Sequence, residues 1–273
     1  MGSKSLNLRT NRPFRGGMMY MTNRDRLKFN NQWKQPWTPA DITTSAWFDA
    51  SDASTITESG GSVSTWGDKS GNEYHVTQGT VANQPTTGTR DIGGLNTLDF
   101  DGNDFLRVNS RLGFSANPNI MIISVHSPDQ AGLQVRLCTI GNGDGVLSPA
   151  TDNSWRFNNG NVVYNSSLAS STIGVWERAI GSTYADSKFY ENGVEQTSTD
   201  VTDGTPNNTV ERFVIGAKGD GSIQFNGKMG ELVIIESTDV GIRQKMEGYL
   251  AWKWGLVAEL DPSHPYKNGA PTV

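Results

Sequence analysis

The sequence predicts an all-β, antiparallel two-sheet sandwich with one C-terminal helix and an extended N-terminal arm. Three observations predict it. Short apolar runs alternate with Gly-, Asn- and Asp-rich turn signals about every 8–15 residues, the rhythm of a sandwich or barrel. Glycine is abundant, 31 of 273 residues, and only 19% of residues are charged, which suits a turn-rich β protein better than a helical one. Helical periodicity appears with conviction once, near the C-terminus.

Residues 1 to about 37 form the arm. They carry eight basic residues against Asp25 alone, a net +7, whereas the remaining 236 carry 15 basic and 27 acidic residues, a net −12. Such a segment in isolation is disordered or extended. Its Met18-Met19-Tyr20-Met21 cluster and scattered aromatics predict an arm that lies on a partner surface. Arg9, Arg12, Arg15, Arg24 and Arg26 would supply the charge, and Phe14, Tyr20, Phe29 and Trp33 the anchors. An acidic protein surface is the expected partner. The aromatics have no regular stacking spacing, and the acidic body repels phosphate, so no nucleic acid is expected.

The body, residues 38–273, reads as one domain. Strands are expected at Trp47 and Val63 to Trp66. Thr97 to Phe100 and Phe105 to Val108 flank an Asp101-Gly102-Asn103-Asp104 turn. Ile120 to Val125 is a continuous apolar run, as in a strand buried on both faces. Val135 to Ile140 alternates around Cys138, and Trp155 to Phe157 should pair with Val162 to Tyr164. Val175 to Ile180 follows. Lys188 to Gln196 is a hairpin whose Asn192-Gly193 supplies the two positive-φ residues of a type I′ turn. Phe213 to Ile215 and Ile223 to Ile235 complete the strands. The helix runs from about Val240 to Trp254, with Thr238 or Asp239 as N-cap and Gly255 as the stop. Ile242, Met246, Tyr249, Leu250 and the stem of Lys253 share its apolar face, which should pack on an edge or end of the sandwich. The prolines of Asp261-Pro262-Ser263-His264-Pro265-Tyr266 exclude helix from the tail.

Several function classes find no support. No apolar run reaches the ~18 residues of a membrane span. The N-terminus has no apolar core of a secretory signal, and Leu6 stands where a myristoylation signal needs Ser or Thr. The single Cys138 cannot form an internal disulfide and reads as a small buried hydrophobe. Sandwich glycanases need carboxylates at alternating strand positions. The one Glu-x-Asp, Glu259-Leu260-Asp261, lies in the tail, and Glu231 and Glu236 are five apart, on opposite faces. His75, His126 and His264 form no metal-binding pair, and neither a Gly-x-Ser-x-Gly elbow nor a phosphate loop occurs. No catalytic residue and no required cofactor is therefore expected. Asp101 and Asp104 are the first candidates for a calcium ion, although the glycine is misplaced for a calcium loop and a plain turn is favoured. Of the tryptophans, Trp47, Trp66, Trp176 and Trp252 read as core. Trp155, beside polar Asn158, is the better candidate for stacking on a glycan.

Six motifs recur in order. They are Trp47-Phe48-Asp49-Ala50-Ser51-Asp52, Trp66-Gly67-Asp68-Lys69-Ser70-Gly71-Asn72, Phe100 to Asp104, Tyr190 to Gly193, Gly227 to Leu232, and Gly248-Tyr249-Leu250-Ala251-Trp252-Lys253-Trp254-Gly255-Leu256 with a His264-Pro265-Tyr266 tail. Together, over residues 38–267, they resemble the laminin-G-like branch of the concanavalin-A-like jelly rolls, in the version found in tailed-bacteriophage structural proteins. The resemblance implies a two-sheet jelly roll but no function by itself, since this fold hosts lectins, glycanases and inert modules. With the basic arm it implies a non-enzymatic virion protein, present in many copies on a capsid or tail lattice as a decoration or cement protein. The alternative is a carbohydrate-binding adhesin that touches host surface glycans.

Overall fold

The computed structural model describes residues 34–108, 110–129, 135–140, 144–148, 154–157, 162–165, 171–179, 181–201, 204–205 and 212–273. The arm residues Arg9, Arg12, Phe14, Arg15, Tyr20, Arg24, Arg26, Phe29 and Trp33 lie outside them, as does Asn158. Along the described chain run β1 (Ala46–Asp49), β2 (Ile56–Ser59), β3 (Ser62–Trp66), β4 (Val76–Thr77), β5 (Thr86–Ile92), β6 (Leu95–Asp101), β7 (Leu106–Arg107), β8 (Ile120–Pro128) and β9 (Val135–Ile140). There follow β10 (Asp144–Ser148), β11 (Ser154–Phe157), β12 (Val162–Asn165), β13 (Thr172–Arg178), β14 (Lys188–Glu191), β15 (Val194–Glu195), β16 (Ser198–Val201), β17 (Val214–Ile215), β18 (Asn226–Ile235) and the helix α1 (Val240–Trp254).

The antiparallel ladders form two layers. In the first, β18 pairs along one side with β8, which continues to β13, β14 and β15. Its other side is shared, β6 taking Asn226 to Met229 and β1 taking Glu231 to Ile234, with β5 beyond β6. The second layer runs β2, β3, β4, β7, β17, β9, β10, β11, β12, β16. A single β3–β5 pair, Ser62 opposite Thr86, joins the layers. The β6–β7 turn at Asp101 to Asp104 is therefore no hairpin: it carries the chain from one layer to the other.

Between the layers lies one core, with Phe48, Trp66, Leu98, Phe100, Ile122, Trp176, Phe189, Ile215, Leu232 and Ile234. A second core lies on the outer face of the first layer. There Trp47, Met121, Ile123, Val125, Ile173, Val175, Val233 and Ile235 meet Met246, Leu250, Ala251 and Trp254 of α1, with Trp37, Leu256 and Leu260. The helix thus covers a sheet face, not the edge or end expected from its short apolar stripe. That explains the unbroken apolar run of β8: its side chains enter two cores, and Ile120 to Ser127 are all buried.

The helix buries charge as well as oil. Arg243, Glu247 and Lys253 are buried beside Met246, Leu250 and Trp254. Asp239 caps its start by accepting from the Ile242 N–H, and Gly255 at φ 71° ends it. In the β14–β15 hairpin, Asn192 and Gly193 have φ of 51° and 86°, as the turn chemistry predicts. Trp37 was assigned to the arm but is buried under the helix beside Tyr249, and Pro36 bridges to Thr272. Trp252 is only half-buried; its indole N–H donates to the Tyr266 carbonyl at 2.9 Å.

Candidate functional site

Four of the six motifs, those of Trp47 to Asp52, Trp66 to Asn72, Gly227 to Leu232 and Gly248 to Leu256, converge, but on a sealed seam. Asp49 of β1 stands opposite Glu231 of β18 in the ladder, both on the helix side. Glu231 is fully buried and accepts from four donors: the Trp47 indole at 2.8 Å, the Tyr249 hydroxyl at 3.1 Å, the Lys253 ammonium at 2.6 Å and the Trp254 indole at 2.8 Å. Lys253 also reaches Asp49 at 2.7 Å, and Lys69 joins Asp49 at 3.1 Å to Asp52 at 2.7 Å. Burial pushes Glu231 above the ordinary carboxylate range, Lys253 opposing and the Asp49 charge adding to it. Burial also pushes Asp49 up, but Lys253, Ser51 and Lys69 outweigh it, and Asp49 ends below its ordinary value. A carboxylate taken out of water costs several kcal/mol unless its lone pairs are met, and here they are.

Local geometry accounts for the remaining motif residues. A Cβ at Gly230 would meet the Trp254 ring at 2.7 Å, and a ladder irregularity there turns Met229 to the inner core and Glu231 to the helix. A Cβ at Gly248 would strike Tyr266 at 2.5 Å. Asp68 accepts from the backbone N–H groups of Trp47, Ser70 and Tyr74 and from the Ser70 hydroxyl, fixing the Trp66 to Asn72 turn. His264 lies 3.1 Å from buried Glu247, which pairs with Arg243, so the tail is pinned to the helix. All of these carboxylates are buried.

The open site lies elsewhere, where β5, β6 and β18 meet the segment after β8. A cleft of about 440 Å³ is lined by Arg90, Asp99, Asp101, Asp104, Asp129 and Asn226, together with Ser62, Gln84, Thr86 and the exposed Val81 and Ala82. Ligand pockets span roughly 300–1,000 Å³. Strand pairing positions its walls: Thr86 opposite Asp99, and Asn226 opposite Asp101. Arg90 donates to Asp99 at 2.9 Å and forks onto both oxygens of Asp129, one at 2.6 Å. Asp129 and Asp99 thereby keep the guanidinium firmly protonated.

Asp101 and Asp104 have no cation among the described residues. Asp104 is 4% exposed, and its carboxylate accepts from the Asp101 N–H at 2.9 Å. Burial, then the charges of Asp101 and Asp99, push it up to about 6 against that hydrogen bond. Asp101 in turn accepts from the Asn103 N–H at 2.8 Å. These bonds make the turn the sequence favours. Among the described residues no three His, Cys, Asp or Glu side chains are grouped to hold a metal ion. Of the glycan candidates, Trp155 occupies β11 opposite Tyr164. His126 is fully buried and held near 3, far from its ordinary value, by burial.

The sequence reading singled out Asp101 and Asp104 but missed Arg90, Asp99, Asp129 and Asn226. They come from four separate segments, and only the ladder register assembles them.

No family model matches the chain, and no curated protein sequence is similar to it. Solved structures are. An arabinofuranosidase complexed with arabinofuranosyl-α-1,2-xylobiose superposes with a TM-score of 0.52 at 12% identity, over 68% of this chain and 50% of its own. The likeness is one of fold. A Trypanosoma rangeli sialidase follows at 0.48, with 16% identity over 74% of this chain and 33% of its own. Domain 4 of a GH43 extracellular arabinanase from Geobacillus stearothermophilus, solved with arabinotriose, gives 0.45 at 15% identity, over 71% and 93%. The chain spans half the length of the arabinofuranosidase and a third of the sialidase. The arabinofuranosidase likeness bears out the sandwich fold.

Proposed function

We propose that this protein is a non-catalytic glycan-recognition jelly roll that takes a saccharide in the Arg90–Asp104 cleft. The observation that carries the reading is the polar cleft itself, which gathers carboxylate acceptors with guanidinium and amide donors and the apolar side chains of Val81 and Ala82. Sugar hydroxyls donate to carboxylates, the Arg90 and Asn226 N–H groups serve ring and hydroxyl oxygens, and Val81 with Ala82 meets a C–H face. Phe100 is fully buried, so recognition rests on hydrogen bonds and not on stacking. Four aspartates against one arginine favour neutral or amino sugars over anionic ones. The non-catalytic reading is supported by the occupation of the acids: Asp99 and Asp129 are clamped by Arg90, and Asp104 is walled in.

Glycan-array screening of the full-length protein, followed by calorimetry, tests this. Binding to neutral or amino saccharides is expected, at least ~10-fold weaker in Arg90→Ala and Asn226→Ala, a loss of about 1.4 kcal/mol. Failure to bind any saccharide, or binding unchanged in both variants, overturns it.

A second reading, a structural protein of a tailed-bacteriophage particle, is favoured by the +7 segment joined to a −12 body. In it the arm docks on an acidic lattice, a capsid shell being preferred to a tail. Purified shells should then retain the full-length protein and not a variant lacking residues 1–33; equal retention of neither sinks it.

A further inference from the structure

The seam under the helix holds what an acyl transfer needs, in side chains that the cleft does not use. The Lys253 side chain is 4% exposed and places Nζ 2.6 Å from Glu231 Oε2 and 2.7 Å from Asp49 Oδ2. The two carboxyls differ in kind. Burial holds Glu231 above the ordinary carboxylate range, which favours the acid form, the one an amine can attack. At Asp49 burial is outweighed by Lys253, Ser51 and Lys69, so it stays a carboxylate able to take a proton. Neighbouring acids in opposed environments divide the roles of acid and base. The other oxygen of Glu231, Oε1, accepts from the Trp47 indole N–H at 2.8 Å and the Tyr249 hydroxyl at 3.1 Å. These are two neutral donors, aimed where negative charge gathers when a carboxyl carbon is attacked. Glu231 and Lys253 are both buried, which disfavours the reverse, hydrolytic step.

We propose that this seam is a self-modification site, where Lys253 and Glu231 condense to an isopeptide bond that ties α1 covalently to β18. Asp49 first takes a proton from the Lys253 ammonium. The freed amine attacks Glu231 Cδ and forms the C–N bond, while the charge on Oε1 is held by Trp47 and Tyr249. The nitrogen then passes a second proton to the Oε2 hydroxyl, the C–Oε2 bond breaks, and one water leaves. An amide remains, with the first proton on Asp49, and no co-reactant is consumed. Contact in the folded chain supplies the acceleration, since well-oriented groups react at effective molarities of roughly 10⁵–10⁸ M. The link fastens the helix to its sheet and is independent of what the cleft binds.

Intact-mass spectrometry of the denatured full chain, followed by tryptic mapping, tests this. The expected mass is lower than that of the sequence by one water, with peptide 229–243 joined to peptide 246–267. Lys253→Arg keeps the cation but offers no amine nucleophile, and should show the full mass. Tyr249→Phe keeps the ring and removes one Oε1 donor. In a pulse of new synthesis its link should form at least ~10-fold more slowly. A wild-type chain at full mass, with no joined peptide, overturns the proposal whether or not the variants fold. So does a lost water that maps to a cyclised Asp101-Gly102 or to a Lys253–Asp49 link. Tyr249→Phe linking at the wild-type rate overturns it as well.

Discussion

The seam under the helix and the cleft at the β5–β6 end are both rich in carboxylates, and they solve opposite problems. At the seam, Glu231 receives four donors, Asp49 shares two lysines, and both carboxylates are buried. In the cleft, four aspartates share one arginine, and two keep charge to spare. The difference teaches that a saturated cluster locks layers together, whereas an under-neutralised one in an open cleft remains available to a ligand. The residues that look most like a family signature belong to the lock.

Glu231→Ala should produce the largest effect. It leaves the Tyr249 hydroxyl and two indole N–H groups without an acceptor and takes from Lys253 one of its two carboxylates, and removing one partner of a buried pair costs about 3–5 kcal/mol. Urea unfolding measures it, and a loss below ~1 kcal/mol would end the distinction between lock and cleft. Lys253→Met comes next, at about 3 kcal/mol, because Asp49 retains Lys69 while Glu231 loses its cation. Replacing both partners, Glu231→Leu with Lys253→Met, should cost less than the sum of the singles, since no lone charge then remains buried.

The cleft should respond to pH instead. Asp104 has its folded value raised to about 6 from 3.8, so the folded state holds a proton that the unfolded state has released. Between about pH 4 and 6, unfolding therefore releases a proton, and stability falls as pH rises through that window. Asp104→Asn should flatten this part of the urea-midpoint profile; a slope equal to that of the wild type would place the charge elsewhere. The smallest effect is expected for Arg90→Gln. Its pairs are about one-third exposed and worth no more than ~1 kcal/mol. A differential-scanning shift as large as that of Lys253→Met would show that the cleft is a structural lock too.

Much of the fold was legible because strands and turns announce themselves locally. The Asn192-Gly193 turn, the β11–β12 pairing, the helix from Val240 to Trp254 and the double burial of β8 all follow from short-range pattern. Strand β5 escaped because Thr86 to Ile92 is polar and interrupted by Gly88, and only Ile92 of it is buried. The edge or end position expected for the helix fails because the helix buries more than its apolar stripe. Its buried face is completed by Arg243 and Glu247, which a hydropathy pattern counts as solvent-facing. Trp252 and Trp254 show the same limit: two positions apart, one half-buried and the other fully buried.

By itself the sequence determined the antiparallel class, most strand positions, the helix caps and the charge division between arm and body. Each of these depends on the chemistry of near neighbours: side-chain period, positive-φ turn residues and net charge. Only the tertiary structure decided that Glu231 is a buried hub while Asp101 and Asp104 flank an open cleft. Segments far apart in the chain meet there through ladder register, and burial, which sets what a carboxylate can do, belongs to the whole set of neighbours and not to any residue alone.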